Sequence, residues 1–431
     1  MNASSAELEN HIIAFFASPW WFRVWTVQEY CLASNVVLQY CSRSINTDLL
    51  SKWYANYIHH FSTCCRKFQA SFNTPMENMQ NLERVAESLR RLESLLRQRL
   101  IRKGATFVNI MTHFRFRQCL DPRDKIYGLL GLMEPAVRDS IQPDYIRPPK
   151  GLYLDVVLAS IKSTKSLDIL SCKHGTKTLD LQLPSFVPDW TAHVSDTMHQ
   201  APYERLHYAL PRYHASNHNL PDLQRTSPDQ VIISGLRVDR IRSIADWGQT
   251  WKTRLSSWRE LACETPYVCP YPDGATAFWL SMCGGIFPNN DLDNFDVRPA
   301  NDRDVRSFWL WEDYINSELL TQPADRASDF QSSFYIVFAM REFAITEKGY
   351  IGWVPLGSVE GDSIVLLSGG KVPYVLRPIE PNAATRNETD LGTTNEGAAF
   401  QIFKFIGDAY IQGVMQGECY DLSKLEQFRL V

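Results

Sequence analysis

The chain has 431 residues, carries 44 basic and 48 acidic side chains for a net charge of −4, and is 45% hydrophobic and 12% aromatic. This is ample apolar material for packed cores and a length suited to roughly three domains, so disorder is excluded as the default. The near-balanced charge argues against nucleic acid as the main partner, and no apolar run approaches the ~20 residues of a membrane span.

The first informative segment is Pro19-Trp20-Trp21-Phe22-Arg23-Val24-Trp25-Thr26-Val27-Gln28-Glu29. Ser18 followed by Pro19 predicts a helix start, because the hydroxyl can cap free N–H groups and proline at the first helical position loses no needed donor. The helix is expected to run to about Ala33, with Trp21, Trp25 and Glu29 on one face by their spacing of four, so that the Trp25 ring walls the Glu29 carboxylate. An ionised carboxylate left unpartnered in an apolar site costs several kcal/mol. Glu29 must therefore be paired, hydrogen-bonded or functional; Arg23 across a turn, or a more distant arginine, is the structural partner to look for. The β-branched run Asn35–Cys41 predicts a buried strand, and helix followed by strand suggests an α/β unit.

Further along, Thr74-Pro75-Met76-Glu77 is a capping box, and Gly104 after Arg102-Lys103 is a stop, which predicts a long helix between them. Asp121-Pro122-Arg123-Asp124 combines a cap, proline and first-turn acid ahead of the apolar Ile126-Tyr127-Gly128-Leu129-Leu130. Capping and an ion pair explain Arg123 and Asp124 without a ligand. A helix over Gly151–Ser163 is expected next, then a strand over Leu167–Cys172. Pro184-Ser185-Phe186-Val187-Pro188-Asp189-Trp190 reads as a rigid extended stretch anchored by Trp190; Ser185 lacks the setting of an exposed nucleophile.

Thr191–Gln230 is polar, rich in His, Pro and Asn, and reads as a long loop, followed by a strand from Val231 to Val238 and helices over Trp251–Cys263 and Ser307–Leu320. The C-terminal runs Glu342–Ile345, Tyr350–Val354, Ser363–Leu367, Tyr374–Arg377 and Phe403–Ile411, separated by glycine-bearing turns and a polar insert over Glu380–Ala399, predict a small barrel or curled sheet. The ten cysteines and ten histidines show no metal-ligand spacing, so reduced thiols and no metal are expected.

Four of these blocks, in order, carry a resemblance to a known family. The Pro19–Glu29 segment resembles the third motif of the fungal heterokaryon-incompatibility (HET) domain. Asp121–Leu132, Pro184–Trp190 and Gly407-Asp408-Ala409-Tyr410-Ile411-Gln412-Gly413-Val414-Met415-Gln416-Gly417-Glu418 resemble segments that follow that domain. The family's two earlier blocks have no counterpart before Met1, which reads as an N-terminal truncation. The fold implied is mixed α+β: residues 1–46 as the remnant of a TIR-like α/β domain, 47–190 helical, 191–330 mixed with long loops, and 331–431 β-rich.

The function that the resemblance implies is a regulatory or effector role in fungal non-self recognition and programmed cell death, in the cytoplasm, with protein partners. HET domains are also similar, more remotely, to TIR domains that cleave NAD. That likeness implies Glu29 as a catalytic carboxylate supported by Trp25, Arg23 and Gln28, with NAD as substrate of a fuller form and no other cofactor evident. An inactive truncated gene copy is the third expectation.

Overall fold

The computed structural model describes residues 5–60, 92, 95–96, 106–173, 179–192, 201–263, 273–289, 296–317, 325–379 and 401–431, in a mixed α+β fold. The helix expected over Thr74–Gly104 lies outside these residues apart from Leu92, Leu95 and Leu96, and the insert over Glu380–Ala399 lies wholly outside them. The chain divides into two units, Met1–Pro149 and Lys150–Val431.

In the first unit, helix α1 (Ser5–Phe16) precedes a 3-10 turn over Pro19–Phe22. The helix expected through to Ala33 is broken at Arg23, where the backbone is extended (φ −72°, ψ 138°). Arg23 forms a parallel bridge with Gln118, and the Val24 N–H donates to the Gln118 carbonyl at 3.0 Å. Helix α2 (Thr26–Leu32) starts afresh. Its first turn is held by the Thr26 hydroxyl, which donates to the carbonyls of Arg23 (2.7 Å) and Trp20 (3.0 Å). Backbone pairing with a distant segment thus outweighs local helical preference.

Strands β1 (Val37–Tyr40) and β2 (Arg43–Asn46) form an antiparallel hairpin rather than the buried strand expected over Asn35–Cys41. Leu38 faces the core, while Val37 and Tyr40 are exposed. Helices α3 (Thr47–His60), α4 (Phe107–His113), α5 (Asp124–Tyr127) and α6 (Pro135–Arg138) follow among the described residues. Its core joins Trp21, Val24, Val27 and Tyr30 to Phe107, Ile110, Phe114, Ile126 and Leu129, all essentially inaccessible. Each such side chain contributes about 1.5–3 kcal/mol through burial.

The second unit opens with α7 (Pro149–Thr164), close to the predicted span. Asp168–Cys172 is a 3-10 turn, not a strand. The expected long loop over Thr191–Gln230 is partly ordered: it holds a π-helical turn at Arg205–Ala209 and strand β3 (Gln224–Ser227). Strand β4 (Gln230–Ile244) runs well past Val238. Helices α8 (Trp251–Cys263) and α9 (Gly274–Cys283), the hairpin of β5 (Ile286–Pro288) and β6 (Val297–Pro299), and helices α10 (Val305–Ser317) and α11 (Asp325–Phe338) lead to the C-terminal strands. These are β7 (Arg341–Thr346), β8 (Ile351–Pro355), β9 (Ser363–Leu367), β10 (Tyr374–Ile379), β11 (Ile402–Asp408), β12 (Tyr410–Ile411) and β13 (Glu426–Leu430).

Strand β4 closes the sheet. It pairs with β13 over Val231–Gly235, with β9 over Gly235–Arg240, and with β7 over Ile241–Ile244. Because β13, β11, β10 and β9 are hydrogen-bonded in succession, pairing of β4 with both ends makes a ring, and β7, β8 and β12 extend from its far half. A register shift at Arg237/Asp239 lets one strand serve two sets of partners. The sheet therefore does not close within residues 331–431. Its interior holds Val238, Ile241, Val354, Ile364, Leu366, Val375 and Ile411. Gly352 is required where β12 crosses β8, since a Cβ there would lie 2.0 Å from the Tyr410 carbonyl oxygen.

Helices α8 to α11 cover β7 and β8 with an aromatic layer. Trp353 meets Trp258 edge-on at 5.1 Å and Phe343 at 5.3 Å, and Phe334 stacks on Phe338 at 4.8 Å. The Trp353 indole N–H is satisfied by the Ser281 carbonyl at 2.8 Å. Among the described residues, no helix is long and apolar enough to cross a membrane, and no group of side chains is placed to hold a metal ion.

Candidate functional site

The break at Arg23 rearranges the residues expected around Glu29. Trp25 is the residue before α2 rather than a residue within a continuous helix, and it is 36% exposed. Arg23 and Glu29 are both exposed, so the expected buried carboxylate is corrected. Glu29 instead lines a cleft of about 270 Å³ with Phe15, Trp20, Trp21, Tyr30 and Tyr40, to which neither Trp25 nor Arg23 contributes. Gln28 points elsewhere: its Nε2 donates to the Tyr127 carbonyl at 2.8 Å. A Cβ at Gly131 would lie 2.6 Å from Gln28 Oε1, so the last glycine of Asp121–Leu132 is where α2 docks.

The Asp121–Leu132 block is a structural clasp. Asp121 Oδ1 accepts from the Arg123 backbone N–H and Nε, each at 2.9 Å, and its Oδ2 pairs with Nη2 at 2.7 Å. The guanidinium also reaches the carbonyls of Tyr145 and Arg147 and lies 5.2 Å from the Tyr145 ring centroid. The Tyr145 hydroxyl donates to Asp124 Oδ1 at 2.6 Å. Partial burial, with Asp124 beside it, pushes that phenol up to about 12. Arg123 and Asp124 are thus used in capping and bracing, as their sequence setting predicts.

In the second unit, the other two blocks converge. Pro184–Val187 is a tight turn, with the Val187 N–H donating to the Pro184 carbonyl at 3.0 Å, rather than an extended stretch. Ser185 is consumed by packing: its N–H donates to the Val431 carbonyl at 2.7 Å, its hydroxyl does the same, and its Oγ accepts from the Phe405 N–H at 2.7 Å. Trp190 is fully buried, as an anchor should be. Beside this turn lies Asp408, from the Gly407–Glu418 block at the end of β11.

Asp408 is buried and forms an ion pair with Arg341 at 2.8 Å, itself 3% exposed. Burial alone would lift the Asp408 carboxyl, but the charges of Arg341 and Arg205 and the hydrogen bond from Arg341 outweigh it and hold it below its ordinary range. Arg205 is also buried. Its Nη1 donates to the carbonyls of Ile336, Val337 and Ala339 at 3.0–3.3 Å, at the C-terminal end of α11, where a cation complements the helix dipole. Burial, reinforced by the Arg341 charge, lowers its guanidinium to about 9, so it remains cationic at neutral pH.

These groups border a cavity of about 590 Å³, within the size range of small-molecule sites. Its polar lining comprises Lys173, Ser185, Asp189, Arg205, Arg341, Lys404 and Asp408. The sequence gives no warning of Arg205, which sits in a polar segment and finds its partners on a helix far along the chain. Asp408 and Asp189 do fall inside blocks that stand out by pattern.

A model of the Het-6 beta-barrel domain family matches residues 325–431. That span contains β7 to β13 but not β4, which completes the ring. The chain is also 21% identical to heterokaryon incompatibility protein 6, OR allele, of Neurospora crassa, in an alignment covering 96% of this chain and 66% of that protein. No solved structure matches. The chain is thus similar to a fungal heterokaryon-incompatibility protein along most of its length, and residues 325–431 match the Het-6 β-barrel domain.

Proposed function

We propose that this protein is a regulatory or effector component of fungal non-self recognition whose engagement leads to programmed cell death, acting in the cytoplasm through protein partners. The observation that carries this reading is the likeness to an incompatibility protein along 96% of the chain, from the Pro19–Glu29 block to the barrel. The test is expression of the chain in paired strains of a filamentous fungus that differ in incompatibility genotype. Vital-dye uptake and growth arrest restricted to one pairing are the expected outcome; equal growth in every pairing would overturn it.

NAD cleavage at Glu29 is the second reading, favoured by the place of this carboxylate in a cleft walled by Trp20, Trp21, Tyr30 and Tyr40. There it would hold ribose hydroxyls and stabilise charge developing at the anomeric carbon. Aromatic walls suit a nicotinamide or adenine ring. Release of nicotinamide from NAD by a fuller form that carries the family's two earlier blocks, lost on Glu29→Gln and absent or nearly so from the chain as given, is the measurement that separates this reading from the first.

A further inference from the structure

The cavity beside the barrel holds more positive charge than its structural roles explain. Four cations line it, Lys173, Arg205, Arg341 and Lys404, against two carboxylates, Asp189 and Asp408. Asp408 is used by Arg341. Asp189 Oδ1 accepts from the Thr191 N–H at 2.9 Å and its hydroxyl at 2.6 Å. The Arg341 Nε is buried with no hydrogen-bond partner among the described residues. Arg205 commits Nη1 to helix carbonyls, which are neutral, and shares the nearby Asp408 charge with Arg341. Lys404 is exposed on the rim, and Lys173 donates to the Phe405 carbonyl while its ammonium lies 5.4 Å from that ring's centroid.

Two buried guanidinium groups thus share a single buried carboxylate, Asp408, and the uncompensated charge beside open space is costly unless a further anion enters it. The rest of the wall is apolar, from Leu183, Val187, Met340, Leu356 and Ile406. Met340 is held at φ 61°, a left-handed conformation that a non-glycine residue adopts at a cost of about 1–3 kcal/mol, and it turns the chain from α11 into β7 at this wall. A cationic end and an apolar wall within one cavity match a ligand with both characters.

We propose that this cavity is a binding site for a small organic oxyanion, a phosphate- or carboxylate-bearing compound with an apolar body, whose charged head meets Arg205, Arg341 and Lys404. The site is independent of the incompatibility reading, since it rests on the cavity alone. Occupancy would couple three elements that the ligand touches at once: the Pro184–Trp190 turn, the Arg205 turn and the mouth of the barrel.

The test uses the full chain and 8-anilinonaphthalene-1-sulfonate, a fluorescent sulfonate with an aromatic body, beside N-phenyl-1-naphthylamine, its neutral twin. One saturable site is expected, with the sulfonate bound at least about tenfold tighter than the neutral probe. Lys404→Glu, at an exposed position, should weaken the sulfonate roughly fivefold or more with the neutral probe and melting temperature unmoved. Leu356→Trp, which fills the mouth from a residue that is itself half exposed, should reduce binding of both probes. Displacement by adenosine monophosphate assigns the phosphate source, and displacement by decanoate the carboxylate one. Equal affinity for the two probes, or sulfonate binding indifferent to both substitutions, would overturn the proposal.

Discussion

The two units place buried arginine in opposite settings. In Met1–Pro149, Arg117 is fully buried, donates through Nη1 to the Trp21 carbonyl, and lies 5.2 and 5.9 Å from the ring centroids of Phe116 and Phe114. Lys125 fills the same role beside it, donating to the carbonyls of Arg115 (2.8 Å) and Arg117. In Lys150–Val431, Arg205 and Arg341 are equally hidden but border a cavity of about 590 Å³. A cation enclosed by carbonyls and rings binds the blocks of a core together; a cation beside open volume is available to a ligand as well. The Asp121–Leu132 and Pro19–Glu29 blocks therefore meet in a clasp, whereas Pro184–Trp190 and Gly407–Glu418 meet at a cavity.

The largest expected effect concerns how far the barrel stands alone. A fragment of residues 325–431 lacks β4, which pairs with β13, β9 and β7, and so leaves three rows of backbone groups unmatched. It should show little strand signal by circular dichroism and no cooperative melt. A cooperative melt with strand signal would mean that the ring tolerates the loss of its closing strand.

Next in size, Asp408→Asn leaves Arg341 buried without its counter-charge and should cost about 3–5 kcal/mol in a denaturant titration. Arg117→Met in the other unit removes the hydrogen bond to the Trp21 carbonyl and should cost about 1–3 kcal/mol. Equal losses would erase the contrast between a paired charge and an enclosed one.

The barrel strands were legible in the sequence because alternating apolar runs are punctuated by glycines that the turns need: Gly349, Gly361 and Gly369 all have φ between 84° and 88°. Strand β4 was legible only to Val238. Beyond it, Asp239-Arg240-Ile241-Arg242 reads as polar, although Asp239 is buried and takes the Lys348 N–H at 2.7 Å. The helix through Arg23 failed because its competitor, the bridge to Gln118, is far away in sequence. The aromatic composition of the Glu29 surroundings was readable, but their geometry was not: Trp25 swings out once the helix restarts at Thr26. The cavity was invisible for the same reason, since Arg205 meets its partners only through tertiary packing.

A smaller effect lies in pH. Because the Asp408 carboxyl is held below its ordinary 3.8, the folded state binds fewer protons than the unfolded one around that value. Its stabilisation is therefore fully present above 3.8 and is lost as pH falls through the lower folded-state value. Melting temperature followed from pH 6 to roughly 3 should drop more steeply for the native chain than for Asp408→Asn. Parallel curves would assign acid sensitivity elsewhere, for instance to Asp121, whose carboxyl is lowered by its hydrogen bond from Arg123.

The smallest expected effect on stability is that of Glu29→Gln. Glu29 is exposed and reaches the cleft from a helix whose docking depends on Gln28, Val27 and Tyr30 instead. Surface substitutions of this kind fall within about ±0.5 kcal/mol, so the melting temperature should barely move. Gln28→Ala is the informative companion: it removes a bond to the Tyr127 carbonyl at 2.8 Å and should destabilise by about 1 kcal/mol. If Glu29→Gln proves the more damaging of the pair, the carboxylate braces the unit and the aromatic cleft is a by-product of packing. If only Gln28→Ala is felt, the two neighbours divide their work, one docking α2 and the other facing solvent at the aromatic cleft.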